Sequence, residues 1–159
     1  MTTKRTLPIL AAAAIAVTGA IGATSSASNG AAGQATIVIR HQLHGCHSWS
    51  VNGNGFNPKQ ALVLHRGGSF TITNNDVMSH KMIETSGPAV KYTRVSAGMG
   101  MGDKGVFPAP VLPRMGSQSK VTFTKPGVYK FTTKAGEDFM SGVKTIGEDN
   151  VLKLTVTVR

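Results

Sequence analysis

Ser69-Phe70-Thr71-Ile72-Thr73-Asn74-Asn75-Asp76-Val77-Met78-Ser79-His80 is the stretch from which the fold is read. Phe70 and Ile72 alternate with Ser69, Thr71 and Thr73, the two-residue period of a strand with one face on a core and one in water. Asn74-Asn75-Asp76 ends the alternation with side chains that hydrogen-bond nearby backbone and so favour turns. Met78-Ser79-His80 then leads into Lys81-Met82-Ile83-Glu84.

Strand signals continue on both sides. Upstream, Ala35 to Arg40 is short and β-branched, and reads as a first strand. His41 to Gly55 reads as a long loop ending in Asn52-Gly53-Asn54-Gly55. Phe56 to Leu64 is a strand entered through Pro58, where a missing donor is tolerated, and Arg66-Gly67-Gly68 is expected to be a hairpin turn. Downstream, Ser86 to Gly105 lacks clear periodicity and is expected to be an extended loop. Phe107 to Pro113 is too rich in Pro for a central strand. Ser119 to Thr124 and Val128 to Thr133 read as a hairpin closed by Pro126-Gly127, Lys134 to Asn150 as a loop, and Val151 to Val158 as the last strand. About seven short strands without a helical period outside the N-terminus predict an all-β sandwich.

Residues 1–27 look like a secretory leader: Lys4-Arg5, an apolar run from Leu7 to Ala23, then small residues offering cleavage after Ala23 or Ala27. An uncleaved anchor is the alternative, since the run nears spanning length. Ser28 to Gln34 reads as a flexible linker, leaving 35–159 as one domain. The net charge is +10. That balance suits an acidic protein partner, anionic lipid or cell-wall polymer. No Lys/Arg run interleaves with aromatics, so nucleic-acid binding is not expected. After cleavage no membrane span is expected, and the oligomeric state is open.

Chemistry concentrates in His41-Gln42-Leu43-His44-Gly45-Cys46-His47-Ser48-Trp49, which holds three of five histidines and the single cysteine. A lone Cys makes no intrachain disulfide in an oxidising space. Beside His44 and His47 it reads as a metal-ligating thiolate, with an inert buried Cys or an intermolecular bridge as the alternatives. Cys46 and His47 would face opposite sides of a strand, and share a metal only if the backbone turns, as Gly45 permits. His41 reads as a strand end, His65 as solvated, and Trp49 as a roof over the loop. Met78 and Met82 read as packing residues. Met99 and Met101 are either a thioether pair for Cu(I) or gap-fillers.

The order of elements resembles the cupredoxins, the small blue-copper sandwich proteins. The residues that carry the likeness are Phe56-Asn57-Pro58, Val63, Gly67-Gly68, Ile72 to Asp76 with His80, and Pro126-Gly127-Val128-Tyr129-Lys130-Phe131. Thr-Asn-Asn-Asp-x-x-x-His is similar to the approach to the family's first copper histidine, and Pro-Gly-x-Tyr-x-Phe to the strand that delivers its copper cysteine. The resemblance implies a Greek-key β-sandwich over roughly 35–158. It breaks where the family places Cys, His and usually Met: here stands Thr132 to Met140, with neither Cys nor His.

The resemblance therefore implies a rearranged copper site. Loops of such a sandwich cluster at its ends, which would bring Cys46, His47 and His44 toward His80. Cys46, His47 and His80 would form a thiolate with two imidazoles, a set copper prefers. Met140 is the candidate weak axial ligand, with Glu137 or Asp138 as harder alternatives. Zinc accepts the same donors.

No haem-attachment, zinc-pair, nucleophile-elbow or phosphate-cradling motif is present, and adjacency of Cys and His does not give catalytic geometry. The chain is thus expected to be a non-enzymatic, extracytoplasmic copper protein that transfers electrons or handles copper with a redox or copper-donor protein partner. The rival reading is an interaction module of the same fold that has lost its metal.

Overall fold

The computed structural model describes residues 32–41, 47–99, 107–135 and 152–159. Its strands are β1 (Ala32–His41), β2 (His47–Val51), β3 (Lys59–Asn74), β4 (His80–Ser86), β5 (Lys91–Ala97), β6 (Val111–Leu112), β7 (Ser117–Thr122), β8 (Gly127–Ala135) and β9 (Lys153–Val158). Among the described residues there is no helix, and the expected all-β architecture is what the chain adopts. β1 starts at Ala32, inside the stretch expected to be linker; the leader lies outside the described residues.

β3 organises the sandwich. Its first half pairs in parallel with β9, Lys59 to Leu64 against Lys153 to Val158. Its second half pairs in parallel with β1 and antiparallel with β7. One layer is thus β2-β1-β3-β7-β5 and the other β3-β9-β8-β4-β6, with β3 bending from one into the other. The expected hairpin at Arg66-Gly67-Gly68 is this bend. A Cβ on Gly68 would stand 2.7 Å from the His65 carbonyl oxygen, so only glycine fits. The bend keeps its ladder: Gly67 N–H donates to Phe123, Phe123 N–H to Gly68, and Arg66 N–H to Arg159. A hairpin fails to form because each flank meets a better partner in a different layer.

Four further expectations are corrected. His41 to Gly55 is not one long loop, because His47–Val51 pairs antiparallel with β1, Ile39 opposite Trp49 and Ile37 opposite Val51. The strand is short and flanked by glycines, which hid its alternation of His47, Trp49 and Val51. Trp49 is fully buried in the core and does not roof a loop. Ser86 to Gly105 is not all loop, since Lys91–Ala97 adds an edge strand to β7. Finally, β7 and β8 form no hairpin: β7 pairs with β3 and β5, whereas β8 pairs with β4 and β9. Pro126-Gly127 carries the chain between layers, and Tyr129 Oη donates to the Lys125 carbonyl at 2.6 Å across that turn.

The two layers meet on aromatic rings. Phe70 from β3 lies edge-on to Phe131 from β8 at 5.9 Å, and Phe123 edge-on to Tyr129 at 4.7 Å. Edge-to-face contacts of this kind add about 0.5–1.5 kcal/mol beyond the area they bury. Ile37, Ile39, Leu64, Leu154 and Val156 complete the buried face of the alternation.

Candidate metal centre

The loop from Asn74 to His80 is built by its own side chains. Asn74 is fully buried; its Oδ1 accepts from Asp76 N–H at 2.9 Å, and its Nδ2 donates to the Met78 and Leu112 carbonyls at 2.7 and 3.2 Å. Asp76 Oδ1 accepts from Met78 N–H at 3.0 Å. Asn75 N–H donates to the Ile39 carbonyl and Gly116 N–H to that of Asn74, tying the loop to β1 and to the approach to β7. The Asn-Asn-Asp sequence thus breaks the strand for the reason its chemistry implies, and fixes one carboxylate oxygen of Asp76 on backbone.

The other oxygen turns to histidines. His47 opens β2 and His80 opens β4, and both side chains are buried. His47 Nδ1 lies 2.7 Å from Asp76 Oδ2, and His80 Nε2 lies 3.3 Å from the same atom. The two rings meet edge to face at 4.7 Å. His41, the last residue of β1, pairs with His47 across the hairpin, with ring centroids 5.6 Å apart. One donor atom from each of His41, His47 and Asp76 lies within 4.8 Å of the others.

Burial alone would push the Asp76 carboxyl up. The His47 and His80 rings and the Met78 N–H outweigh it and hold the group well below the usual carboxylate range. Asp76 is therefore an anion in the interior, and His47 donates through Nδ1. That bond leaves Nε2 as the donor atom His47 offers to a metal.

The two sequence motifs come together at this end of the sandwich. The strand closing in Thr73-Asn74-Asn75-Asp76 delivers His80, and β8, which begins in the Pro-Gly-x-Tyr-x-Phe motif, runs antiparallel to β4 so that Ala135 lies opposite His80. His41 and His47, at the end of β1 and the start of β2, lie at the same end.

The sandwich has distant likenesses among solved structures. Its structural neighbours include a "novel purple cupredoxin" from Nitrosopumilus maritimus, at 18% identity over 77% of this chain and 98% of that one, with a TM-score of 0.40. A reduced amicyanin mutant matches at 14% identity over 78% and 82% of the two chains, TM-score 0.36. A multicopper oxidase from Campylobacter jejuni, described as a metallo-oxidase, matches at 14% identity over 84% of this chain and 31% of its own, TM-score 0.49. No family model and no curated protein matches the chain.

Of the residues named from sequence, the sandwich brings His47 and His80 together. Cys46, His44, Met140, Glu137, Asp138 and Met101 lie outside the described residues. His65 is exposed, Met82 is buried in the core and Met99 is 72% exposed. His41, read only as a strand end, joins the cluster. Asp76 was missed as a functional residue although it stood in the quoted motif. The signal was its spacing of four from His80, together with the presence of a second histidine able to reach it.

Proposed function

We propose that this chain is an extracytoplasmic copper-binding protein, working in one-electron transfer or copper handling. The observation that carries the reading is the convergence of His47 and His80 on one buried Asp76 oxygen, with His41 alongside. Imidazoles suit copper, and ligating histidines usually give their other ring nitrogen to a carboxylate. The donor chemistry therefore fits the group. His47 and His80 would hold the ion, and Cys46, bonded to His47 in the chain, would supply a thiolate; Met140 is the candidate weak ligand. Copper bound there would supply the Cu(I)/Cu(II) couple.

The protein's own work is to hold the rings. Asp76 fixes the tautomer and plane of His47 and stands against His80, while Asn74 and the Met78 N–H fix Asp76. Antiparallel pairing holds His47 opposite His41 and His80 opposite Ala135. Rigid placement of this kind lowers the reorganisation that accompanies a change of charge. The leader read at residues 1–27 supports export. A carboxylate this close to the ring nitrogens favours a lower potential than a purely sulfur and nitrogen set would have.

The test is purification with metal analysis and a visible spectrum. An intense thiolate-to-copper band lost in Cys46→Ser supports the reading with Cys46 as a ligand. Copper bound without that band, and lost in His47→Ala, keeps copper and removes Cys46. Protein that stays colourless and metal-free after Cu(II) addition refutes the reading in favour of the metal-free interaction module. Zinc retained in place of copper would overturn the redox role.

A further inference from the structure

The outer face of the β3-β9-β8-β4 layer carries a row of lysines at the end where His80 stands. Alternation sets it: Leu62, Leu154, Phe131 and Met82 point into the core, so Lys59, Lys153, Lys134 and Lys81 point out, and all four are exposed. Register brings them together. Lys59 lies opposite Lys153, Lys153 opposite Thr132, and Lys81 opposite Lys134, immediately beside the His80–Ala135 pair. Lys130 stands two residues before Thr132 on the same face. Between it and Lys153 lies a shallow depression lined by Thr85, Thr132 and Thr155.

Like charges opposite one another cost stability in a sheet, and no acidic side chain among the described residues offsets them on this face. Among the described residues the acidic side chains are Asp76, which is buried, and Glu84, which faces inward on β4 between Ile83 and Thr85. No carboxylate of the described residues lies within ion-pair distance of these lysines. Among the described residues this side of the layer is cationic.

We infer that this face, Lys59, Lys81, Lys134 and Lys153 with Lys130, docks an acidic protein surface at the end of the sandwich that holds the histidines. Charge complementarity chooses the partner class, and a depression lined by both Lys130 and Lys153 suits a carboxylate side chain. The purpose of such docking rests on the metal reading above, because it brings a partner's own centre to the His47–His80 end; the docking itself does not.

The test uses the full chain, labelled for amide NMR, titrated with poly-L-glutamate in metal-free and copper-treated form. The expected result is shifts at β4, β8 and β9 around these lysines, weakening as salt rises from about 0.02 M to about 0.3 M. Replacing Lys59, Lys81, Lys134 and Lys153 by Gln should weaken binding about tenfold or more, whereas Gln at Lys91, Lys120, Lys125 and Arg66, an equal charge loss away from this face, should change it less than about threefold. Equal loss in both variants, shifts confined to another face, or tighter binding to phosphatidylglycerol vesicles than to poly-L-glutamate would overturn the inference. Protein that fails to bind copper yet gives the expected shifts ends the metal reading and leaves the docking face standing; copper binding without these shifts does the reverse.

Discussion

Asp76 lies 29 residues from His47 in the chain, yet its Oδ2 stands 2.7 Å from His47 Nδ1, with both side chains buried. The pair joins the strand break after β3 to the start of β2. Removing one member leaves the other buried without its partner, and that penalty exceeds the value of a single hydrogen bond.

Asp76→Ala should therefore destabilise the fold by about 2–4 kcal/mol, because the His47 N–H and the Met78 N–H both lose their acceptor. Asp76→Asn, which can still accept, should cost less. Denaturant unfolding of the two variants measures the difference. If copper is held by His47 and His80, Asp76→Ala should also weaken its binding by about 10–100-fold, read by competition with a Cu(II) chelator.

Trp49 is the single tryptophan and is fully buried against β1. Its fluorescence should be blue-shifted and resist acrylamide in the native state, moving to the red on unfolding. Trp49→Ala should cost about 3–5 kcal/mol, as large-to-small changes of core aromatics do. A solvent-exposed emission spectrum in folded protein would contradict the placement of β2.

Gly87 has φ of +125°, and a Cβ there would stand 2.8 Å from Tyr129 Cδ1 and 3.0 Å from its Cα. The close neighbour includes backbone and cannot swing aside. Gly87→Ala should lower stability by about 1–3 kcal/mol, combining backbone strain with a clash against the core. Thermal melting of the variant beside the parent gives the answer.

Burial pushes the Glu84 carboxyl above its ordinary value of 4.5, against a smaller opposing effect from the Val90 backbone N–H. The unfolded chain then releases this proton at a lower pH than the folded protein does. Stability from Glu84 is fully present below about pH 4 and declines as pH rises through the range between the unfolded and the higher folded value. Glu84→Gln removes that decline, so the variant should gain on the parent between pH 4 and pH 7. Unfolding curves at the two pH values test the sign; an unchanged difference would count against the burial of this group.

Much of this protein was legible in one dimension. The alternation of Phe70 and Ile72, and of Leu154, Val156 and Val158, fixed strands whose inward faces are those the period demands. The Asn-Asn-Asp break also followed from residue chemistry, since Asn74 bonds backbone within four residues of itself. His80 was marked by its place after that break. These features depend on neighbours close in sequence, where side-chain type and spacing decide the outcome.

Only the tertiary structure decided the rest. Whether Gly67-Gly68 reverses the chain or merely bends it depends on β9 and β7, which lie far along the sequence and capture the two halves of β3. His47, Trp49 and Val51 gain their strand from register with β1. Asp76 acquires its role because two strand starts deliver histidines to one carboxylate oxygen, and a buried carboxylate must find partners where the packing puts them. Local pattern gave the strands; long-range pairing chose which side chains would meet.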